Sequence, residues 1–239
     1  LTKYTGHAKK LCRFLLETSD ESIDLIVVGG DGTLNEVLDG ITDPGRIRLY
    51  YIPTGSGNDF ARGMQLPGSP LKASQLLLGS AREISMDIGS VTTQGTGHRF
   101  GVSTGIGFDA AICHEALKSP LKTFLNHLHL GKLTYVFIAV KQFILCKPAD
   151  FQVLLDGKTK RLFRKAYFAA IMNLPYEGGG IRFCPDASPN DRLLDVCCIC
   201  GVGKLRFLFL LLACVLGVHK RCQNVHIFRC KSINIKSSI

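Results

Sequence analysis

Between an apolar run and a helical stripe, residues 29–33 read Gly-Gly-Asp-Gly-Thr. The run before them, Ile23-Asp24-Leu25-Ile26-Val27-Val28, is short and β-branched and predicts a buried parallel strand. After them Leu34, Val37, Leu38 and Ile41 recur at i, i+3, i+4 and i+7, the spacing of a helix. Thr33 and Glu36 have capping-box spacing, which predicts that this helix starts at Thr33. A helix start offers unpaired N–H groups and partial positive charge, and three glycines let an anion approach that backbone. Asp31 would repel a bare phosphate there, so the reading assigns it to Mg²⁺, a bridging water or a substrate hydroxyl. The ordinary alternative is a tight turn of any α/β protein. Neither Gly-x-x-x-x-Gly-Lys-Ser/Thr nor Gly-x-Gly-x-x-Gly is present.

A second junction of the same kind follows. Ile47 to Ile52 reads as a strand ending at Pro53, then Thr54-Gly55-Ser56-Gly57-Asn58-Asp59 leads into Phe60-Ala61, with Asn58 or Asp59 as the helix cap. Leu11, Phe14 and Leu15 predict an earlier amphipathic helix, and Leu71 to Leu78 a later one. Alternating strands and helices argue for a three-layer α/β domain over residues 1–84. From residue 85 the candidates are Phe100–Ser103, Phe151–Leu155, Lys165–Met172, Leu193–Cys200 and Val225–Ile235, with a hairpin signal at Asp156-Gly157 and a helix over Gly131–Cys146. That pattern predicts a larger, mostly antiparallel second domain, residues 85–239, with inserted helices.

Charge divides along the same line. Residues 1–84 carry 9 basic and 10 acidic residues, whereas 85–239 carry 20 and 9. A basic half favours nucleotide phosphates, nucleic acid or an anionic membrane surface, or is simply a solvated face. Ten cysteines lie scattered, mostly in apolar runs, and Cys197-Cys198-Ile199-Cys200 has no second pair at zinc spacing, so buried reduced thiols are expected. Phe207 to Val218 is an apolar run of 12 residues, short of the roughly 20 of a membrane span. Core packing is the favoured reading of that run, and a basic-flanked surface lying on a bilayer the alternative. His127-x-His129 reads as loop surface. The chain opens at Leu1 without a signal-peptide pattern, which predicts a cytoplasmic protein whose first strand is missing.

Taken together, Gly29-Gly-Asp-Gly-Thr-Leu-Asn-Glu36 and Pro53-Thr-Gly-Ser-Gly-Asn-Asp-Phe-Ala-Arg62 resemble the diacylglycerol kinase catalytic domain family, in its bacterial lipid kinase branch. Thr2-x-x-x-Gly6-His7-Ala8, Met86-Asp87-Ile88-Gly89, Gly105-Ile-Gly107-Phe-Asp109-Ala110, Asn173-x-x-x-x-Gly178-Gly-Gly180 and Pro185-Asp-Ala-Ser188-Pro-Asn-Asp191-Arg-Leu193-Leu-Asp195 resemble further family stretches. The resemblance implies an α/β nucleotide domain followed by a β-sandwich-like domain, with the active site between them. It implies a kinase using ATP and Mg²⁺ on a lipid hydroxyl, peripherally bound to a membrane, with no nucleic-acid partner and with a homodimer left open. Thr2, Gly29, Gly30, Asp31, Gly32, Thr33, Leu34, Asn35 and Ser56 would contact ATP, and Asp31 is the candidate catalytic carboxylate. Asn58, Arg62 and Asp87 would form a polar network near the phosphates. Asp191 and the main-chain carbonyls of Ser188 and Leu193 would bind Mg²⁺, an oxygen-only set suited to that cation.

Three departures qualify this. The family's opening Asn-Pro-x-Ser-Gly loop and its later Asp-Gly-Glu segment, which carries the proposed base, have no counterpart here, and Arg192 stands where the metal turn usually has Gly. A chain of this extent is therefore expected to turn over poorly. Other readings are a non-catalytic module binding nucleotide or anionic lipid, and a sphingosine kinase-like or NAD kinase-like enzyme. Against NAD kinase, Gly57-Asn58-Asp59-Phe60 replaces that group's asparagine–glutamate motif. Nucleic-acid binding lacks any reader motif.

Overall fold

The computed structural model describes residues 1–79, 82–118 and 131–238, with no side-chain detail for 117–118 and 131–136. The His127-x-His129 pair lies outside the described residues. Two compact units are present, Leu1–Val102 and Ser103–Ile239.

The first unit runs α1 (His7–Thr18), β1 (Ile23–Gly29), α2 (Asp31–Gly40), β2 (Ile47–Pro53), α3 (Asp59–Gly63), α4 (Pro70–Leu78), β3 (Gly89–Thr93) and β4 (Thr96–Phe100). β1 and β2 pair in parallel from Ile23↔Ile47 to Gly29↔Pro53. The hairpin β3–β4 belongs here, beyond the division expected after residue 84. It is fastened to α2, because Asp39 accepts from Arg99 N–H at 3.0 Å and its carboxylate also meets Lys9 and His98.

Several local expectations change. α1 buries Ala8, Cys12 and Leu16, a strict i, i+4, i+8 stripe, and leaves Leu11, Phe14 and Leu15 exposed. Small residues face α2, so the two helices approach closely, and a Cβ on Gly40 would lie 2.5 Å from Lys9 O. β1 is buried on one face only, through Val27, while Ile26 and Val28 are exposed. α2 begins at Asp31 rather than Thr33. Glu36 does not close a capping box on its own helix. Its two oxygens accept from Gly6 N–H at 2.7 Å and Ala8 N–H at 3.2 Å, at the start of α1.

The second unit holds β5 (Ser103–Gly107), α5 (Phe108–Lys118), α6 (Gly131–Leu145), β6 (Ala149–Leu155), β7 (Thr159–Met172), β8 (Leu194–Cys200), α7 (Lys204–Val215), β9 (Val225–Cys230) and β10 (Ile233–Ser237). Gly101 and Val102 separate β4 from β5, so Phe100–Ser103 is not one strand. The six strands form one antiparallel sheet ordered β10-β6-β7-β8-β9, with β5 also on β7. Val225–Ile235 likewise divides. β9 pairs with β8 and β10 with β6, at opposite ends of that order, yet only Lys231 and Ser232 lie between them. The sheet must therefore curl until its ends meet, which gives it two apolar faces in a sandwich-like form. Asp156, at φ 50° in the β6–β7 turn, accepts from both Lys231 N–H and Ser232 N–H and fixes the join.

The central strands are buried on both sides. Ala170, Met172, Cys197 and Ile199 face a core completed by Phe108 and by Phe207 and Leu210 of α7, and alternate residues Ala169, Ile171, Val196 and Cys198 face a second core with Phe151 and Val153. That is why Val196–Cys200 is uninterruptedly apolar. The Glu36 cap is separable from the core. Glu36→Ala is expected to lower unfolding stability by about 2 kcal/mol, because two helix-start N–H groups lose a charged acceptor. Urea denaturation of wild type and variant checks it.

Candidate active site

The two glycine turns meet. They follow strands that end side by side, Gly29 opposite Pro53, and Thr54 N–H donates to Gly29 O at 2.9 Å. A Cβ added at Gly55 would stand 2.6 Å from Gly30 Cα, so only glycine permits this approach. Both turns thus sit at the C-terminal edge of a parallel pair, where open α/β sheets place their ligands.

Asp31 joins the turns. Its carboxylate accepts from Asp59 N–H and Phe60 N–H, each at 3.1 Å, and so caps α3 from across the site. Asn58 is the N-cap of that helix but makes no cap hydrogen bond with its own side chain. Asn58, at φ 52°, closes its own loop instead, accepting from Gly55 N–H at 3.0 Å and donating to Gly55 O at 2.8 Å. Asp59 is buried and paired with Arg62, which fixes that guanidinium beside the second turn. The phenol of Tyr51, buried and edge-on to Phe60, is pushed up in pKa by burial and then by the Asp31 charge.

Because Asp31 is spent on α3, the start of α2 keeps its own N–H groups. Gly30 is the N-cap, and no side-chain cap is present among the described residues. The first N–H groups of a helix have no partner within it. Gly32 and Asn35 are exposed there, Thr33 is half-buried, and Leu34 is buried as an anchor. Gly29 is needed for packing, since a Cβ there would meet the Thr33 side chain at 2.7 Å. Ser56 is exposed on the facing turn. Gly29–Asn35, Ser56, Asn58 and Arg62 are therefore one cluster of local structure. Thr2 is exposed ahead of α1, and Asp87 is half-buried in the extended segment before β3.

Ser188, Asp191 and Leu193 lie in the other unit, in the turn before β8. Asp191 accepts from Leu193 N–H at 3.0 Å, and its second oxygen is 3.7 Å from Arg229. Arg229 also binds the buried Asp195 at 3.0 Å and donates to Asp186 O at 2.6 Å. Burial pushes the Asp195 carboxyl up and Arg229 opposes that shift. In kind the turn fits a hard dication, with one carboxylate and main-chain oxygens. Its charge, however, is already shared with a guanidinium that a metal would have to outbid. Arg192 takes φ 60° in this turn, the left-handed conformation that glycine adopts most easily. Sequence reasoning missed Arg229 because it comes from β9, far along the chain.

A second carboxyl pair was also not visible in the sequence. Asp109, at the start of α5, is buried and bound to Glu177, likewise buried. Asp109 folds back over Gly105, where a Cβ would meet its carboxylate at 2.3 Å. Ligand atoms of Asp109, Glu177 and Cys113 all lie within 4.8 Å of one another. Burial raises Asp109 to about 6, with the Glu177 hydrogen bond opposing. A carboxyl raised by folding binds its proton more tightly in the native state, so stability is full below pH 4 and falls as pH rises to about 6. Asp109→Asn should flatten that fall, about 2–3 kcal/mol in size, in urea midpoints measured against pH.

Comparisons with known proteins agree with the two units. The diacylglycerol kinase catalytic domain family matches residues 1–91, and the YegS C-terminal NAD kinase beta sandwich-like domain matches residues 103–239. A diacylglycerol kinase of Bacillus subtilis (strain 168) is 31% identical over 228 residues, covering 93% of this chain and 70% of that protein. The lipid-kinase candidate YtlR of the same organism is 30% identical over 237 residues, covering 98% and 76%. A crystal structure of a diacylglycerol kinase from Bacillus anthracis str. Sterne superposes with a TM-score of 0.70 at 23% identity, covering all of this chain and 74% of that one, and shows the same fold. With both units matched in order, the chain belongs to the bacterial diacylglycerol and lipid kinase family.

Proposed function

We propose that this chain is an ATP- and Mg²⁺-dependent kinase that transfers the γ-phosphoryl group to a lipid hydroxyl, such as that of diacylglycerol, at a membrane surface. The observation that carries the reading is the meeting of the two glycine turns beside an uncapped α2 N-terminus. Phosphoryl transfer asks for positioning and charge neutralisation more than covalent help. The N–H groups of Gly32 and Thr33 would take phosphate oxygens, Ser56 would add a hydroxyl, and Arg62, held by Asp59, would stand beside them. Asn58 and Asp87 would order the polar surroundings, and Thr2 would bound the nucleotide. A carboxylate has about four acceptor positions, and two N–H groups use two at Asp31. The remainder could orient the acceptor hydroxyl and take its proton as that oxygen bonds to phosphorus and ADP leaves.

Magnesium would supply charge neutralisation, and in the second unit Asp191 with the main-chain oxygens of Ser188 and Leu193 would hold it. The family membership supports the lipid-kinase class of the reaction.

Gly32 allows a sharp test. A Cβ there meets nothing within 4 Å, and alanine is the better helix former by about 1 kcal/mol. Gly32→Ala should therefore leave the chain as stable or more so, yet weaken Mg–ATP binding about tenfold or more by filling the approach to the α2 start. Calorimetric titration with Mg–ATP and radiolabel transfer to a panel of lipids, with NAD as a control acceptor, check both halves. Unchanged affinity would remove ATP from this turn. Binding without transfer to any lipid would replace the kinase by a nucleotide-binding module.

A further inference from the structure

From Phe207 on, α7 is apolar on every side, but among the described residues only one side is covered. Phe207, Leu210 and Cys214 face the core, with Phe207 stacked 4.0 Å from the Tyr167 ring. The other side exposes Leu205 (69%), Phe209 (61%), Leu212 and Val215, and the following turn exposes Leu216 (75%). A helix apolar all round belongs in a buried place, and a patch of this kind marks an interaction surface. With 12 residues it is too short to cross a bilayer, and among the described residues no helix is long and apolar enough to do so.

The charge around the patch selects its occupant. Residues 196–239 contain seven Lys and Arg and no Asp or Glu. Lys204 and Arg206 lie at one end of α7, and Lys220 and Arg221 just beyond the other. The whole second unit carries 19 basic against 8 acidic residues. Two copies packed through this patch would bring like charges together, whereas an anionic lipid surface complements it.

We propose that the exposed side of α7 docks on an anionic bilayer, with Leu205, Phe209, Leu212 and Leu216 entering the acyl boundary and the flanking basic residues meeting headgroups. This deepens the lipid-kinase reading by naming the surface that would face the substrate's membrane, but it needs no phosphoryl transfer to hold. Lys220 pairs with Asp186, so Arg206 and Arg221 are the basic residues to alter.

The test is co-sedimentation of the whole chain with phosphatidylcholine vesicles, with and without phosphatidylglycerol, in the absence of ATP. Binding should require phosphatidylglycerol and weaken with added salt. F209D/L212D should reduce vesicle affinity at least about tenfold, roughly the loss of one inserted side chain. R206Q/R221Q, which leaves the helix packing untouched, should reduce the phosphatidylglycerol dependence in the same assay. Both variants should keep the wild-type urea midpoint and the wild-type rate on detergent-dispersed lipid, if the chain is a kinase. Vesicle binding unchanged in both variants overturns the proposal. So does a concentration-dependent dimer in sedimentation velocity that F209D/L212D dissolves, because a second copy would then cover the patch. Loss of vesicle binding in a chain that transfers no phosphate to any lipid leaves the docking surface standing and removes only the kinase.

Discussion

Gly30 and Gly55 approach so closely that a side chain on Gly55 has no room and one on Gly30 would crowd its neighbour, and the rest of the first unit is arranged around that approach. Parallel pairing brings β1 and β2 to end together, and the glycines let the two departing backbones touch. Asp31 then spans the junction and holds the short α3, which at five residues could not stand alone. The effect is a division of labour among N-termini. α1 is capped by Glu36 and α3 by Asp31, both from another element, while α2 is left open. α4 also lacks a side-chain cap, but only the α2 start lies between the two turns, where the proposed phosphate site needs a helix end that the protein does not itself neutralise.

The second unit solves a different problem. Its middle strands carry apolar residues on both faces, so helices must cover one side and the curled sheet the other. Charges that intrude on this arrangement come paired. Asp195 has Arg229, and Asp109 is hydrogen-bonded to Glu177. Removing one partner would leave the other buried and less satisfied, so these groups are constrained by folding whatever their chemistry.

Most helices and the long strands of both units could be read from periodicity, because buried faces impose it, whereas the short β3, β4 and β5, with few buried residues, could not. What could not be read was which groups long-range contacts would claim. Thr33 and Glu36 have the right spacing for a capping box, but Glu36 gains two N–H groups at α1 and goes there. Phe14 and Leu11 look like the inner face of α1, yet a helix that must lie close to α2 presents Ala8 and Cys12 instead. The two ends of Val225–Ile235 continue one apolar alternation, and only the curl of the sheet sends them to different neighbours. At the site, the glycines announced themselves through their number and place. Arg229 and Glu177 carry no local signature and are recognised only once distant strands have been laid side by side.

That curl has a bearing on how the chain is made. β10 pairs Ile233 with Leu155, across most of the second unit's length, and Asp156 grips the link that precedes it. Contacts so distant in sequence form late, since the loop between them must close first. A nascent chain on the ribosome can therefore complete its first unit early, while the apolar interior of the sheet stays unsealed until β10 has emerged.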